Sequence, residues 1–404
     1  MMTSVGPKWK KNLTLLLLGQ SLTTFASVLA GYAILWHVTL ESGSGLAMTL
    51  LTLAKFIPQF MVSPFAGVWA DRYNKKLIIY LSDSFVAVMT LAVAIFFSIG
   101  HEYIFLLLIC NFARGIGHGI ITPTYNSVLP SIVPEQELMR VNGVSQSIQS
   151  VSQMAAPAAA GAMMAFLAIQ SILYLNVATA IIGILILVLL VKVPKTPVTS
   201  GIRTTIGELK IGLQAIKQDL VLKWIIVIGA VINFMIGPIV FLVPLQVVRI
   251  FGGDAWRLAV VELAFFGGMA LGGAIIGVWG GFKNKMKTMF VATFFCGVLM
   301  AFMGVFQDFI FFMMIRALAG VFVSMFRPPM VTLMQLRVDP EFLGRVFALM
   351  SMLTTAVLPL GMLIWGPLAD VVNINLIFMF CGAGIIGISL LFVFSKTLKS
   401  GGGI

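Results

Sequence analysis

Long apolar runs leave this chain few folds to choose from. Twelve of them, roughly 12–37, 46–70, 77–99, 104–128, 142–167, 172–192, 223–249, 258–281, 288–306, 310–335, 346–368 and 376–395, interrupt the polar sequence. Each is about as long as the roughly 20 residues a helix needs to cross about 30 Å of hydrocarbon. No water is present at that depth to satisfy backbone N–H and C=O groups, so each run is expected to be helical. Composition points the same way: 60% of the 404 residues are hydrophobic and 10% charged. A water-facing exterior ordinarily takes about 25% charged residues. The expectation is an all-α membrane protein with twelve transmembrane helices.

A net charge of +12 raises the question of nucleic acid, and the placement of the charge answers it. Lys and Arg cluster in short gaps between apolar runs, with no basic domain or aromatic-interleaved patch to follow a phosphate backbone. With the N-terminus inside, the gaps holding Lys8, Lys10, Lys11, Arg72, Lys75, Lys76, Arg140, Lys283, Lys285, Lys287, Arg337, Arg345, Lys396 and Lys399 all face the cytoplasm. Only Arg249 and Arg257 fall outside. That asymmetry predicts a plasma-membrane protein with both termini cytoplasmic. The stretch Leu13–Val38 after the first lysines is too long for a signal-peptide core and reads as the first span. Cys110, Cys296 and Cys381 each sit inside an apolar run without metal-ligand spacing, so no metal is expected.

The chain also repeats itself. Gly67-Val68-Trp69-Ala70-Asp71-Arg72-Tyr73-Asn74-Lys75-Lys76 returns, worn, as Gly277-Val278-Trp279-Gly280-Gly281-Phe282-Lys283-Asn284-Lys285-Met286-Lys287. Pro134-Glu135…Leu138-Met139-Arg140-Val141 similarly matches Pro340-Glu341…Leu343-Gly344-Arg345-Val346. Duplicated halves predict six-helix units at 1–192 and 223–404, with substrate handled between repeats as in secondary transporters. Between them, 193–222 opens with two prolines. Ile206, Leu209, Leu213, Ile216 and Leu220 then recur at helical spacing opposite Glu208, Lys210, Lys217 and Asp219, which predicts an amphipathic helix on the cytoplasmic surface.

Gly67, Asp71, Arg72, Lys75 and Lys76 match G-x-x-x-D-R-x-x-[KR]-[KR], and on these residues the chain resembles the major facilitator superfamily, MFS. Within it, Gly19-Gln20-Ser21, Thr122-Pro123…Asn126-Ser127-Val128, Ser145-Gln146-Ser147-Ile148-Gln149-Ser150 and Pro340–Phe347 resemble the macrolide-efflux permeases. The resemblance implies the MFS fold with two six-helix pseudo-repeat halves, and a bacterial antiporter. Such a protein is monomeric and drives small-molecule efflux, hence antibiotic resistance, with the proton gradient and no cofactor. An exporter of an anionic or zwitterionic solute is the alternative. No convergent nucleophile, base or metal cluster supports an enzyme, and no Walker-type loop supports ATP drive.

Particular residues are candidates for particular tasks. In the signature loop, Gly67 allows close helix approach. Asp71 is placed to accept from the following basic residues or to sit at a neighbouring helix N-terminus, as a conformational latch, and Asp83 is read as a partner for the signature loop. Topological anchoring by Arg72, Lys75 and Lys76 is the plainer reading, and the only one for the second copy, which has Gly281 in place of the acid. Ionisable groups within spans cost at least about 2.5 kcal/mol each at mid-bilayer and need partners or water. Glu262, Arg114 and Asp83 are therefore the proton-coupling candidates, with pairing to Arg257 the competing role for Glu262. Lys55, Gln146, Gln149, Gln153, Asn233 and Arg327 are the substrate-cavity candidates, and interhelical hydrogen bonding is the alternative for the polar ones. Gly268-x-x-x-Gly272 and Gly273-x-x-x-Gly277 suit close packing, and the resemblance puts the eighth span between the halves.

Overall fold

The computed structural model describes residues 9–134, 137–191, 219–338 and 340–394, without the side chains of 67, 68, 70–72, 130, 139, 393 and most of 340–355. Among these residues are thirteen α-helices and no strand. They are α1 (Trp9–Ser42), α2 (Gly45–Arg72), α3 (Lys75–Ser98), α4 (Ile104–Ile132), α5 (Leu138–Phe166), α6 (Ile169–Leu185), α7 (Leu220–Phe241), α8 (Val243–Phe251), α9 (Ala255–Trp279), α10 (Lys285–Met303), α11 (Phe309–Arg337), α12 (Pro340–Val371) and α13 (Ile374–Phe394). The exterior carries large apolar side chains such as Leu18, Val88, Phe105, Leu189, Leu271 and Ile310. Water would penalise such a surface and lipid accepts it.

Ten helices are long and apolar enough to span by themselves among the described residues. The expected span in α5 does not reach that mark, because the row Gln146, Gln149, Ser150 and Gln153 dilutes the apolar run. In α12 the described side chains Ala356–Val371 form an apolar helix. The single run expected at 223–249 is two helices, because Pro244 has no N–H to offer the carbonyl one turn back and the ladder restarts at Leu242. Pro58, Pro64, Pro157, Pro328 and Pro329, by contrast, sit inside uninterrupted helices.

The repeated Asn-Lys pairs have one physical job. Asn74 accepts from the amides of Lys76 and Leu77 and starts α3; Asn284 accepts from those of Met286 and Lys287 and starts α10. Asn74→Ala and Asn284→Ala are each expected to cost about 1 kcal/mol, read as earlier thermal unfolding of the purified protein. The copies diverge just upstream. Gly280 and Gly281 both take positive φ (73° and 76°) and end α9 at Trp279, whereas α2 continues to Arg72. The amphipathic helix expected before α7 lies outside the described residues except at its end. There Leu220 opens α7, and Asp219 caps it through the Val221 amide while pairing with Arg337 at 3.1 Å.

The described residues group into two compact units, one within Met1–Val38 and Leu50–Gly201, the other within Thr39–Thr49 and Ile202–Ile404. In the first, α3 packs on α4 and α6, and Gly115 and Gly119 bring α4 onto the α2 carbonyls of Lys55 and Gln59. In the second, α10 packs on α11 and α13, while α7 packs on α12 and α13. Gly268 and Gly272 seat α9 on the α11 backbone at Ala317 and Val321. Both glycines thus serve a contact inside their own unit, and Gly273 and Gly277 face open space.

The second unit also holds the α1–α2 turn. Asp370, near the end of α12, accepts hydrogen bonds from the Gly45 and Leu46 amides (2.7 and 2.9 Å), the Ser44 hydroxyl (2.8 Å) and Arg249 (2.8 Å). Arg249 in turn donates to the carbonyls of Gly43 and Ala369. Below them the Thr49 hydroxyl reaches the Met362 carbonyl at 3.0 Å. A carboxylate so placed satisfies amides that the first turn of α2 leaves without intrahelical partners.

Candidate substrate cavity

Polar residues recur at helical spacing along α1, α4 and α5, and in hydrocarbon such stripes must turn towards protein or water. They converge on a cavity of about 420 Å³ within the first unit. That volume lies in the range of roughly 300–1,000 Å³ common for small-molecule sites. Helix α1 contributes Gln20, Thr24 and Ser27, one stripe at i, i+4 and i+7; α5 contributes Asn142, Ser145, Gln146 and Gln149. Between them stand Asp83 of α3 and Arg114, His118, Tyr125 and Asn126 of α4, with Leu17, Val86, Ile121 and Leu129 as apolar walls.

Arg114 is buried, and its two terminal nitrogens point at protein oxygens. It donates to the Ser27 carbonyl (2.5 Å), the Ser27 hydroxyl (3.1 Å) and the Asn176 side-chain oxygen (3.4 Å), tying α4 to α1 and α6. His118, one turn along, lies 3.3 Å from the same Ser27 hydroxyl. Asp83 differs: among the described residues it accepts no hydrogen bond and forms no ion pair, and it faces the cavity.

The other candidates are dispersed. Gln153 lies beyond the lining residues of α5, and Lys55 is half-buried with its ammonium 5.9 Å from the Phe56 ring. In the second unit, Asn233 donates to the Gly229 carbonyl of its own helix, Gln246 is buried against the Met303 carbonyl and Asn375, and Arg327 is exposed. Glu262 pairs with Arg316 at 3.4 Å, both buried, and Arg316 also donates to the Ile239 carbonyl and lies 3.9 Å over the Phe265 ring. The expected competitor Arg257 pairs with Asp254 instead, its neighbour one helical turn away.

In the signature loop the side chains of Gly67, Asp71 and Arg72 lie outside the described residues. Lys75 donates to the Ser127 carbonyl in α4, and Lys76 to the carbonyls of Val188 and Val191. Those last two stand at the end of α6, which closes in a π turn, Ile186–Leu190. Lys76 thus supplies a donor for helix-end carbonyls. Gln20, Ser27, Tyr125, Asn126 and Asn142 were not singled out for the cavity from sequence. Their signal was available in the spacing of polar residues on α1 and α5, but a stripe on one helix does not say which neighbour it meets.

Comparison with known proteins adds the lineage. Macrolide efflux protein A of Streptococcus pyogenes is 28% identical over 385 residues, 95% of each chain. Macrolide efflux protein A of Enterococcus faecalis is 29% identical over 322 residues, covering 79% of this chain and all of that one. In fold, a crystal structure of a POT family transporter in complex with 5-aminolevulinic acid superposes with a TM-score of 0.73 at 12% identity, over 96% of this chain and 97% of that one. The Major Facilitator Superfamily profile matches residues 16–306. With most of its length so matched, this chain belongs to the Major Facilitator Superfamily, a family of membrane transporters rather than enzymes.

Proposed function

We propose that this transporter expels an amphiphilic compound, macrolides first among the candidates, in exchange for protons. It would act by alternating access, as a monomer in a bacterial plasma membrane with both termini inside. The observation that carries the reading is the cavity of α1, α3, α4 and α5, whose mixed lining suits a ligand with apolar bulk and scattered polar groups. The choice of macrolide rests on relatives that carry that name across 95% of the chain. Two carboxylates within spans, Asp83 and Glu262, are the places for proton uptake. The signature residues Gly67, Asp71, Arg72, Lys75 and Lys76 are assigned to the conformational latch.

An anionic or zwitterionic substrate draws less support. Its three motivating cations do not gather: Arg114 is occupied by Ser27 and Asn176, Arg327 is exposed, and Lys55 is not among the cavity's lining residues. The test is accumulation of labelled erythromycin in efflux-deficient cells expressing the chain, with and without a protonophore. Lower accumulation that the protonophore restores is the expected result. Unchanged accumulation, with the protein verified in the membrane, removes the macrolide assignment.

A further inference from the structure

We propose that Asp83 makes the first-unit cavity selective for lipophilic monocations, by pairing with the positive charge of the ligand. The inference rests on reading that cavity as the substrate site and adds the charge its ligand must carry. Among the described residues that line the cavity, Asp83 is the one carboxylate and Arg114 the one fixed cation. Those two do not pair with each other. Arg114 points its donors at Ser27 and Asn176, while Asp83 has no hydrogen bond or ion pair among the described residues. The terminal nitrogens of Arg114 are therefore taken up by neutral protein oxygens, whereas no described donor or cation meets Asp83.

Depth sharpens the asymmetry. Asp83 is eight residues into α3, about 12 Å along the helix from Lys75, so its carboxylate stands within the membrane. An uncompensated charge there is costly, and a ligand cation brought beside it relieves that cost while a neutral ligand does not. The rest of the lining provides amides, hydroxyls, the His118 and Tyr125 rings and aliphatic walls, none of which carries a full negative charge. The strongest attraction for a ligand cation thus falls to one side chain.

The probes are methyltriphenylphosphonium and triphenylphosphine oxide, which share three phenyl groups on phosphorus and differ in charge, titrated into the purified full-length protein. Wild type should bind the cation at least about tenfold more tightly, a difference of about 1.4 kcal/mol. Asp83→Asn should abolish that preference by weakening cation binding about tenfold or more relative to the oxide, and Asp83→Glu should keep it. A wild type that binds both probes equally, or a preference that survives Asp83→Asn, overturns the role of Asp83 and leaves the cavity reading standing. A loss of oxide binding in Asp83→Asn shows a structural role and also overturns it. Failure of wild type to bind either probe or erythromycin overturns the cavity reading, and this inference with it.

Discussion

Glu262→Leu should destabilise this protein by about 3–5 kcal/mol, because it strands the Arg316 guanidinium in a buried site without its counter-charge. The Ile239 carbonyl and the Phe265 ring remain, but neither neutralises a full charge. The double variant Glu262→Leu/Arg316→Met should recover most of that loss, since replacing a buried pair by apolar side chains of similar size is often neutral or stabilising. Thermal unfolding of the four proteins in one detergent reads out the cycle. The double variant also separates structure from coupling. If it folds and its transport still collapses with a protonophore, Glu262 serves packing alone. A folded double variant whose transport ignores the protonophore assigns proton carriage to that carboxylate. Additive single-site losses, with no recovery in the double variant, would show that the pair is not the source of the destabilisation.

The second large effect comes from adding one methyl group. An alanine Cβ at Gly268 would overlap the Ala317 carbonyl, and one at Gly115 would overlap that of Lys55. Both obstacles are helix backbone, which cannot step aside as a flexible side chain would. Gly268→Ala and Gly115→Ala are each expected to cost about 1–3 kcal/mol through overpacking. Gly277→Ala meets nothing within 4 Å and removes helical backbone freedom, so it should gain roughly 0.5–1 kcal/mol. Opposite shifts in unfolding temperature for Gly268→Ala and Gly277→Ala, on one helix, are the expected signature. Equal shifts would show that the α9–α11 contact is looser than the structure has it.

That pair of glycines also shows where sequence reading stopped. Spacing revealed that Gly268 and Gly272 lie on one helix face, but not which helix the face meets, which is α11 of the same unit. The membrane constraint made most of the fold legible, because apolar length and unsatisfied backbone leave only helices. It misjudged the seventh segment, where one proline without an N–H divides the run into α7 and α8. The repeated Asn-Lys pairs were visible as repeats, whereas their role as caps needed the backbone amides of Lys76 and Met286 in view. For ionisable groups, residue type and depth marked Arg114, Asp83 and Glu262 as unusual. Partners were another matter: a carbonyl such as that of Ser27 leaves no trace in sequence, and Arg316 is 54 residues from Glu262 along the chain.

The turn held by Asp370 and Arg249 bears on how such proteins can be recombined. A hybrid joining the first 192 residues of this chain to the second half of a relative would carry the α1–α2 turn away from the carboxylate that caps it. It would keep that cap only where the new α12 ends in an acid at the position of Asp370, with an arginine at that of Arg249. Residues 43–46 are therefore exchanged safely as a set with two side chains more than 200 residues downstream, and a crossover chosen by span count alone divides that set.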